Sequence, residues 1–267
     1  GAWDEEDEFF YDVLKLPNHR SIPLKVRSLV GLTSLFAVHV IDQSLLSKVP
    51  EFYQRLKWFV TYQQKNDHFL AIEINSTGAI LLSLAPKKRL EKILKALLDE
   101  NEFLSPGGIR SLSKIHEKPY VINIDGKEFG LNYEPGESQT ALFGGNSNWR
   151  GPVWMPINYL TISALNKYFQ FFDEDLLAEY PTHSGQSLNL KMVAGQLSQR
   201  LINNFTRNNE GKRKINGGNT LLDENQYFDN LVLFYEYFHG DNGKGIGASH
   251  QTGWTGLIAE IIRKNVD

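Results

Sequence analysis

The chain has 267 residues, 41% hydrophobic and 12% aromatic, with 28 Lys and Arg against 31 Asp and Glu for a formal charge of −3. That length suits one large domain with a substantial core, and a balanced charge without a long basic run argues against nucleic acid as a partner. The absence of cysteine removes disulfides and thiolate metal sites and suits a reducing, cytoplasmic compartment, while the lack of a signal-peptide pattern or a membrane-length apolar run argues against a membrane partner.

In chain order, Gly1-Ala2-Trp3 opens without Met, as a piece of a longer chain does, and Trp3 to Glu8 is an acidic run leading into Phe9-Phe10-Tyr11-Asp12. From Val26 to Ile41 apolar residues fall on every side, which predicts a helix buried nearly all round. Phe52, Leu56, Phe59 and Val60 share one helical face with Arg55 and Lys57 on another, and Leu90, Ile93, Leu94, Leu97 and Leu98 repeat that pattern behind Pro86. Both read as outer amphipathic helices. Val121 to Tyr133 alternates around Asp125-Gly126, the signal of a tight β-hairpin. Glu134 to Gly151 reads as loop, and a nearly all-apolar helix is expected from about Pro156 through Phe169. Leu190, Val193, Leu197, Leu201 and Phe205, set against Lys191, Gln196 and Arg200, give another amphipathic helix. Trp254 then opens a last helical run through Leu257, Ile258, Ile261 and Ile262. Buried and half-buried helices alternating along one chain suit two concentric layers. The expected fold class is therefore all-α, an (α/α) toroid or its fragment carrying one small β-hairpin. Without a repeat or a low-complexity linker, residues 1–267 read as one domain.

Two stretches carry the chemistry. In Phe234 to Trp254, Glu236 lies among Tyr235, Tyr237 and Phe238, surroundings that favour general acid or base duty, and five glycines follow. In Gly144 to Trp154, Asn148, Trp149, Arg150 and Trp154 combine indoles, a guanidinium and an amide at a helix entrance, a set suited to sugar hydroxyls and pyranose C–H faces. A Tyr-rich core edge, and tryptophans in the core with Arg150 on a carboxylate, are the bland alternatives for the two stretches. Metal binding by His239, Asp241 and His250 is a weak signal, Gly243-x-Gly245-x-Gly247 follows no strand of a βαβ unit, and no cofactor is expected.

Taken together, Asn148-Trp149-Arg150-Gly151-Pro152-Val153-Trp154, Phe234-Tyr235-Glu236-Tyr237 and Gly253-Trp254-Thr255 resemble glycoside hydrolase family sixty-three, the processing α-glucosidase I family and its bacterial members. The resemblance runs from Trp3-Asp4 through Phe103 to Leu112 and on to the final helix. It implies a six-hairpin (α/α) toroid and hydrolysis of α-glycosidic, chiefly α-glucosidic, bonds with inversion in an oligosaccharide or small glycoside. Glu236 matches the family's general base. The resemblance also implies a sugar cleft lined by Trp149, Arg150, Trp154 and Trp254, with Asn148 at its edge and His250 and Gln251 at its rim. The family's acid is an Asp in a Gly-x-x-Asp-Asn or Gly-x-Asp-Asn run upstream of the Trp-Asp-Glu segment, and this chain has no such run; Asp229-Asn230 and Asp241-Asn242 stand elsewhere. The chain thus resembles the C-terminal part of the catalytic domain, with the upstream part as its partner, and is expected to be inactive alone. Asp4, Asp7 and Glu137 are the local carboxylates worth comparing with the missing acid. The competing expectations are a carbohydrate-binding domain without catalysis and a helical scaffold.

Overall fold

The computed structural model describes residues 2–65, 71–137 and 149–266. About 40% of the chain is helical, and the described strands form small antiparallel sheets, the largest with three strands. The helical expectation holds coarsely, with more strand pairing than the one hairpin foreseen.

The centre is the helix Met155–Phe172, packed against Leu190–Phe205 and Leu257–Val266. Leu190, Val193, Leu197 and Leu201 are buried at the spacing read from the sequence, each such side chain contributing roughly 1.5–3 kcal/mol on leaving water. The Asn189 side chain caps this helix by accepting from the Met192 amide at 2.9 Å. Met155–Phe172 buries most of its surface, but Leu160 is 43% exposed and Ser163, Asn166 and Gln170 continue that strip, so it is not enclosed all round. Lys87–Leu97 buries Leu90, Ile93, Leu94 and Leu97 as its spacing requires.

The Val26–Ile41 helix is not formed. Ser28 caps a single turn, Leu29–Leu32, which runs into a 3-10 turn, Thr33–Phe36, and then a strand, Val38–Ile41. The cause is β-branching combined with a partner: Val38, Val40 and Ile41 suit a pleated surface, and the strand pairs with Ile80–Ser83, which also pairs with Ala71–Ile74. Gly31 brings the turn against Phe9, whose ring carbon would lie 2.3 Å from any Cβ at that position. The Pro50–Lys65 helix lies outside as expected, but only Val60 of its expected apolar face is buried, with Phe52 and Phe59 exposed. The hairpin Tyr120–Ile124 with Lys127–Leu131 turns at Asp125-Gly126 as read.

Candidate active site

Three backbone junctions assemble the site. Val153 exchanges both backbone hydrogen bonds with Phe238, at 2.8 and 2.9 Å, which sets Trp154 beside Tyr237. Val153 also bridges Arg110, while the Ser111 amide donates to the Pro152 carbonyl at 3.0 Å. The strand Tyr237–Phe238 returns as Gly245–Ile246, and the Glu236 amide donates to the Ala248 carbonyl at 2.8 Å. These junctions need glycine at two points. Gly151 has φ +149 and a Cβ there would fall 2.6 Å from the Tyr133 ring; Gly247 has φ +74 and its Cβ would fall 2.7 Å from both Glu236 Oε2 and Tyr237 Cε1. A side chain at either point is strained by its backbone and blocked by its neighbours.

Trp154 is 4% exposed and stacks on Trp149 (centroids 4.1 Å apart, 6° between planes) and on Tyr237 (4.8 Å, 23°), with Trp254 against its edge at 5.7 Å. Trp149 keeps 37% of its surface in solvent and Trp254 is half-buried. The Trp254 indole donates to the Glu236 carbonyl at 3.0 Å and Thr255 Oγ1 to the Tyr235 carbonyl at 2.6 Å. The short helix Thr252–Thr255 thereby clamps the backbone carrying Glu236. The Glu236 carboxylate is half-buried and accepts from the Ala248 amide at 3.3 Å. Burial, with the nearby charges of Glu137 and Glu236, pushes the Tyr237 phenol up to about 12, so it remains a hydrogen-bond donor at neutral pH.

Trp149, Trp154, Glu236 and Trp254, spread over about a hundred residues of sequence, thus form one aromatic and acidic cluster. Arg150 is 1% exposed, and its guanidinium pairs with Glu134. His250 is exposed and Gln251 half-buried at the start of Thr252–Thr255, with the Gln251 amide donating to the Phe234 carbonyl at 2.6 Å. Asn148 lies outside the described residues. Asp4 and Asp7 lie on the N-terminal segment, where both pair with Lys25 at 3.2 and 3.0 Å. Glu137 lies near Tyr237.

The sequence reading missed the supporting polar framework. Arg110, 3% exposed, donates from Nε to Tyr133 Oη at 2.9 Å and pairs with Asp241 at 3.1 Å, and Tyr133 Oη donates to Asp241 at 2.8 Å. Burial pushes the Tyr133 phenol up despite the opposing charge of Arg110. Partners 23 and 131 residues from Arg110 leave no spacing signal in a sequence. His239 Nδ1 accepts from the Asp241 amide at 3.1 Å, and no group of His, Asp and Glu suited to a metal occurs among the described residues. Nor is any described helix long and apolar enough to cross a membrane.

Residues 51–255 match the mannosylglycerate hydrolase MGH1-like glycoside hydrolase domain. An uncharacterized protein of Saccharomyces cerevisiae is 44% identical over 97% of this chain, which spans 24% of that relative. The mannosyl-oligosaccharide glucosidase of S. cerevisiae and the probable mannosyl-oligosaccharide glucosidase of Schizosaccharomyces pombe are each 28% identical, over 68% and 70% of this chain and 16% and 17% of their own lengths. The chain therefore spans a quarter or less of these relatives, and the resemblance to the processing glucosidases holds at modest identity.

Proposed function

The chain belongs to the MGH1-like glycoside hydrolase domain family, and on that premise we propose that it is the C-terminal part of a helical-toroid catalytic domain that hydrolyses α-glucosidic bonds with inversion, Glu236 serving as general base. The observation that carries this reading is the fixing of Glu236 beside an aromatic platform: the Trp254 indole holds its backbone and the open position at Gly247 leaves room for its carboxylate.

In the proposed reaction Glu236 takes a proton from water as the water oxygen bonds to the anomeric carbon. The glycosidic C–O bond breaks on the opposite face, and the leaving oxygen takes a proton from an acid contributed outside this chain. Trp149 and Trp254 offer indole surface to the sugar's C–H groups, and His250 and Gln251, beside Trp254 in sequence, and Asn148, which the resemblance puts at the cleft edge, take the role of meeting hydroxyls. Trp154 backs that surface, stacked on Trp149 and edge-on to Trp254. The acid and base of an inverting pair stand roughly 6.5–9.5 Å apart, with a water between.

The test is the stereochemistry of the first product. Full-length protein mixed with an α-glucoside in an NMR tube is expected to release β-glucose before mutarotation. Release of α-glucose overturns inversion, and sugar binding without hydrolysis by the full-length protein favours a carbohydrate-binding domain instead.

A further inference from the structure

Beyond its stack on Trp154, Trp149 borders a cavity of about 610 Å³. The chemistry of the cavity walls bears on the substrate class, an inference that rests on the glycosidase reading above. The β-hairpin supplies much of the wall. Ile122 stands opposite Phe129 and Tyr120 opposite Leu131 across its two strands, and because side chains alternate at every residue these four share one face. Leu24, Val26 and Leu29, from the strand Ser21–Leu24 and the turn that follows it, add to this hydrocarbon surface. The cavity is tied to the junction that carries the tryptophans. Val26 packs on the small core of Leu112, Leu131 and Tyr133, and Ser111, also on the border, accepts from the Gly151 amide at 3.1 Å.

Polar side chains on the border are few: the exposed Asp12, the Tyr120 phenol and the hydroxyls of Ser28 and Ser111. Both serine oxygens already accept backbone amides, from Val30 at 3.3 Å and from Gly151. A sugar ring brings several hydroxyls, each of which needs a partner once it leaves water, and these walls offer little to meet them. Val30 and Phe129, by contrast, each keep about half of their surface in water, and an apolar occupant would cover it. The volume lies within the roughly 300–1,000 Å³ of small-molecule sites. Glu236 does not border the cavity, so the occupant is a part of the substrate beyond the bond being cleaved. Where a terminal glucose is released, that part is the aglycone.

We propose that this cavity is an aglycone site, and that it favours α-glucosides whose aglycone is an alkyl or aryl group over those whose aglycone is another sugar. Trp149 is then the shared wall, with sugar on one side of the substrate contact and hydrocarbon on the other.

The experiment measures glucose release by the full-length protein from methyl, butyl and hexyl α-glucoside and from maltose, with quenching of tryptophan fluorescence by the same compounds as the reading of binding. Each methylene that leaves water is expected to raise kcat/KM by up to roughly threefold, so that hexyl exceeds methyl glucoside by about tenfold or more and maltose falls below butyl glucoside. Phe129→Gln puts an amide on the wall at a half-exposed position and is expected to flatten the series, whereas Phe129→Leu keeps the wall apolar and the slope with it. A ring that served only the stability of the hairpin would not change the dependence on aglycone length. A flat series in the wild type, maltose used better than hexyl glucoside, or a slope unchanged in Phe129→Gln overturns the inference and leaves the glycosidase reading standing. A cavity filled by the upstream part of the polypeptide would give the flat series. Quenching that strengthens with chain length while no compound is hydrolysed keeps the cavity and overturns the glycosidase reading. Neither hydrolysis nor quenching with any compound overturns both.

Discussion

The indole Nε1 of Trp254 donates to the backbone carbonyl of Glu236, 18 positions earlier in the chain, at 3.0 Å. The bond fixes the backbone that presents the carboxylate, which among the described residues accepts from the Ala248 amide at 3.3 Å. Trp254→Phe keeps the ring against Trp154 and removes the donor. Loss of this bond is expected to cost about 1 kcal/mol of stability and to lower turnover in the full-length protein more than it raises KM, because the base is misplaced rather than the sugar lost. Chemical denaturation and steady-state kinetics on one preparation check both parts.

Gly247→Ala places a methyl 2.7 Å from Glu236 Oε2 and from the Tyr237 ring at φ +74. Strain and overlap together are expected to destabilise by about 1–3 kcal/mol. The tryptophan fluorescence should shift as Tyr237 moves off Trp154, and an unshifted spectrum with native stability would show that the loop has room to spare.

Tyr133→Phe deletes the hydroxyl that joins Arg110 to Asp241. Arg110 keeps its carbonyl partners at Glu100, Glu102 and Leu104, so the expected loss is limited to about 1.5–3 kcal/mol, the range of hydrogen bonds to charged groups. A urea midpoint unchanged from wild type would contradict a supporting role for this triad.

His116 is 5% exposed, its Nε2 accepts from the Arg27 amide at 2.9 Å, and burial with the Arg27 charge lowers its pKa to about 4 from 6.5. Above pH 6.5 the ring is neutral folded or unfolded and contributes nothing to pH dependence. Between 6.5 and about 4 the unfolded chain gains a proton that the folded one refuses, so stability falls on acidification by up to about 3 kcal/mol and then levels off. Subtracting the pH profile of His116→Gln from that of wild type isolates this contribution, and a difference that is flat or rises on acidification contradicts it.

How far the sequence was legible depended on the range of the interactions. Leu190–Phe205 and Lys87–Leu97 were readable because a 3.6-residue period decides which face is buried, whereas Met155–Phe172 was legible as a helix from its apolar run behind Pro156 but not in its exposed strip of Leu160, Ser163, Asn166 and Gln170. The Tyr120–Leu131 hairpin was readable because Asp125-Gly126 fixes its turn. Val26–Ile41 was misread because an apolar run of mixed residues has no period to choose between helix and strand, and its pairing with Ile80–Ser83 lies about forty residues away. In the site, the aromatic residues and Glu236 stood out by type, whereas the pairing of Arg150 with Glu134 and the Arg110, Tyr133 and Asp241 triad exist only after folding.

The central claim is that Glu236 is the general base of an inverting glycosidase, and the Glu236→Gln substitution in the full-length protein tests it most directly. The amide keeps the shape and much of the hydrogen bonding of the carboxylate but cannot accept the proton from water. Single-turnover kinetics with an α-glucoside, alongside fluorescence titration of sugar binding, are expected to show turnover lower by about two to four orders of magnitude with affinity changed only a few-fold. Turnover near that of the wild type would contradict the assignment and place the base on another residue.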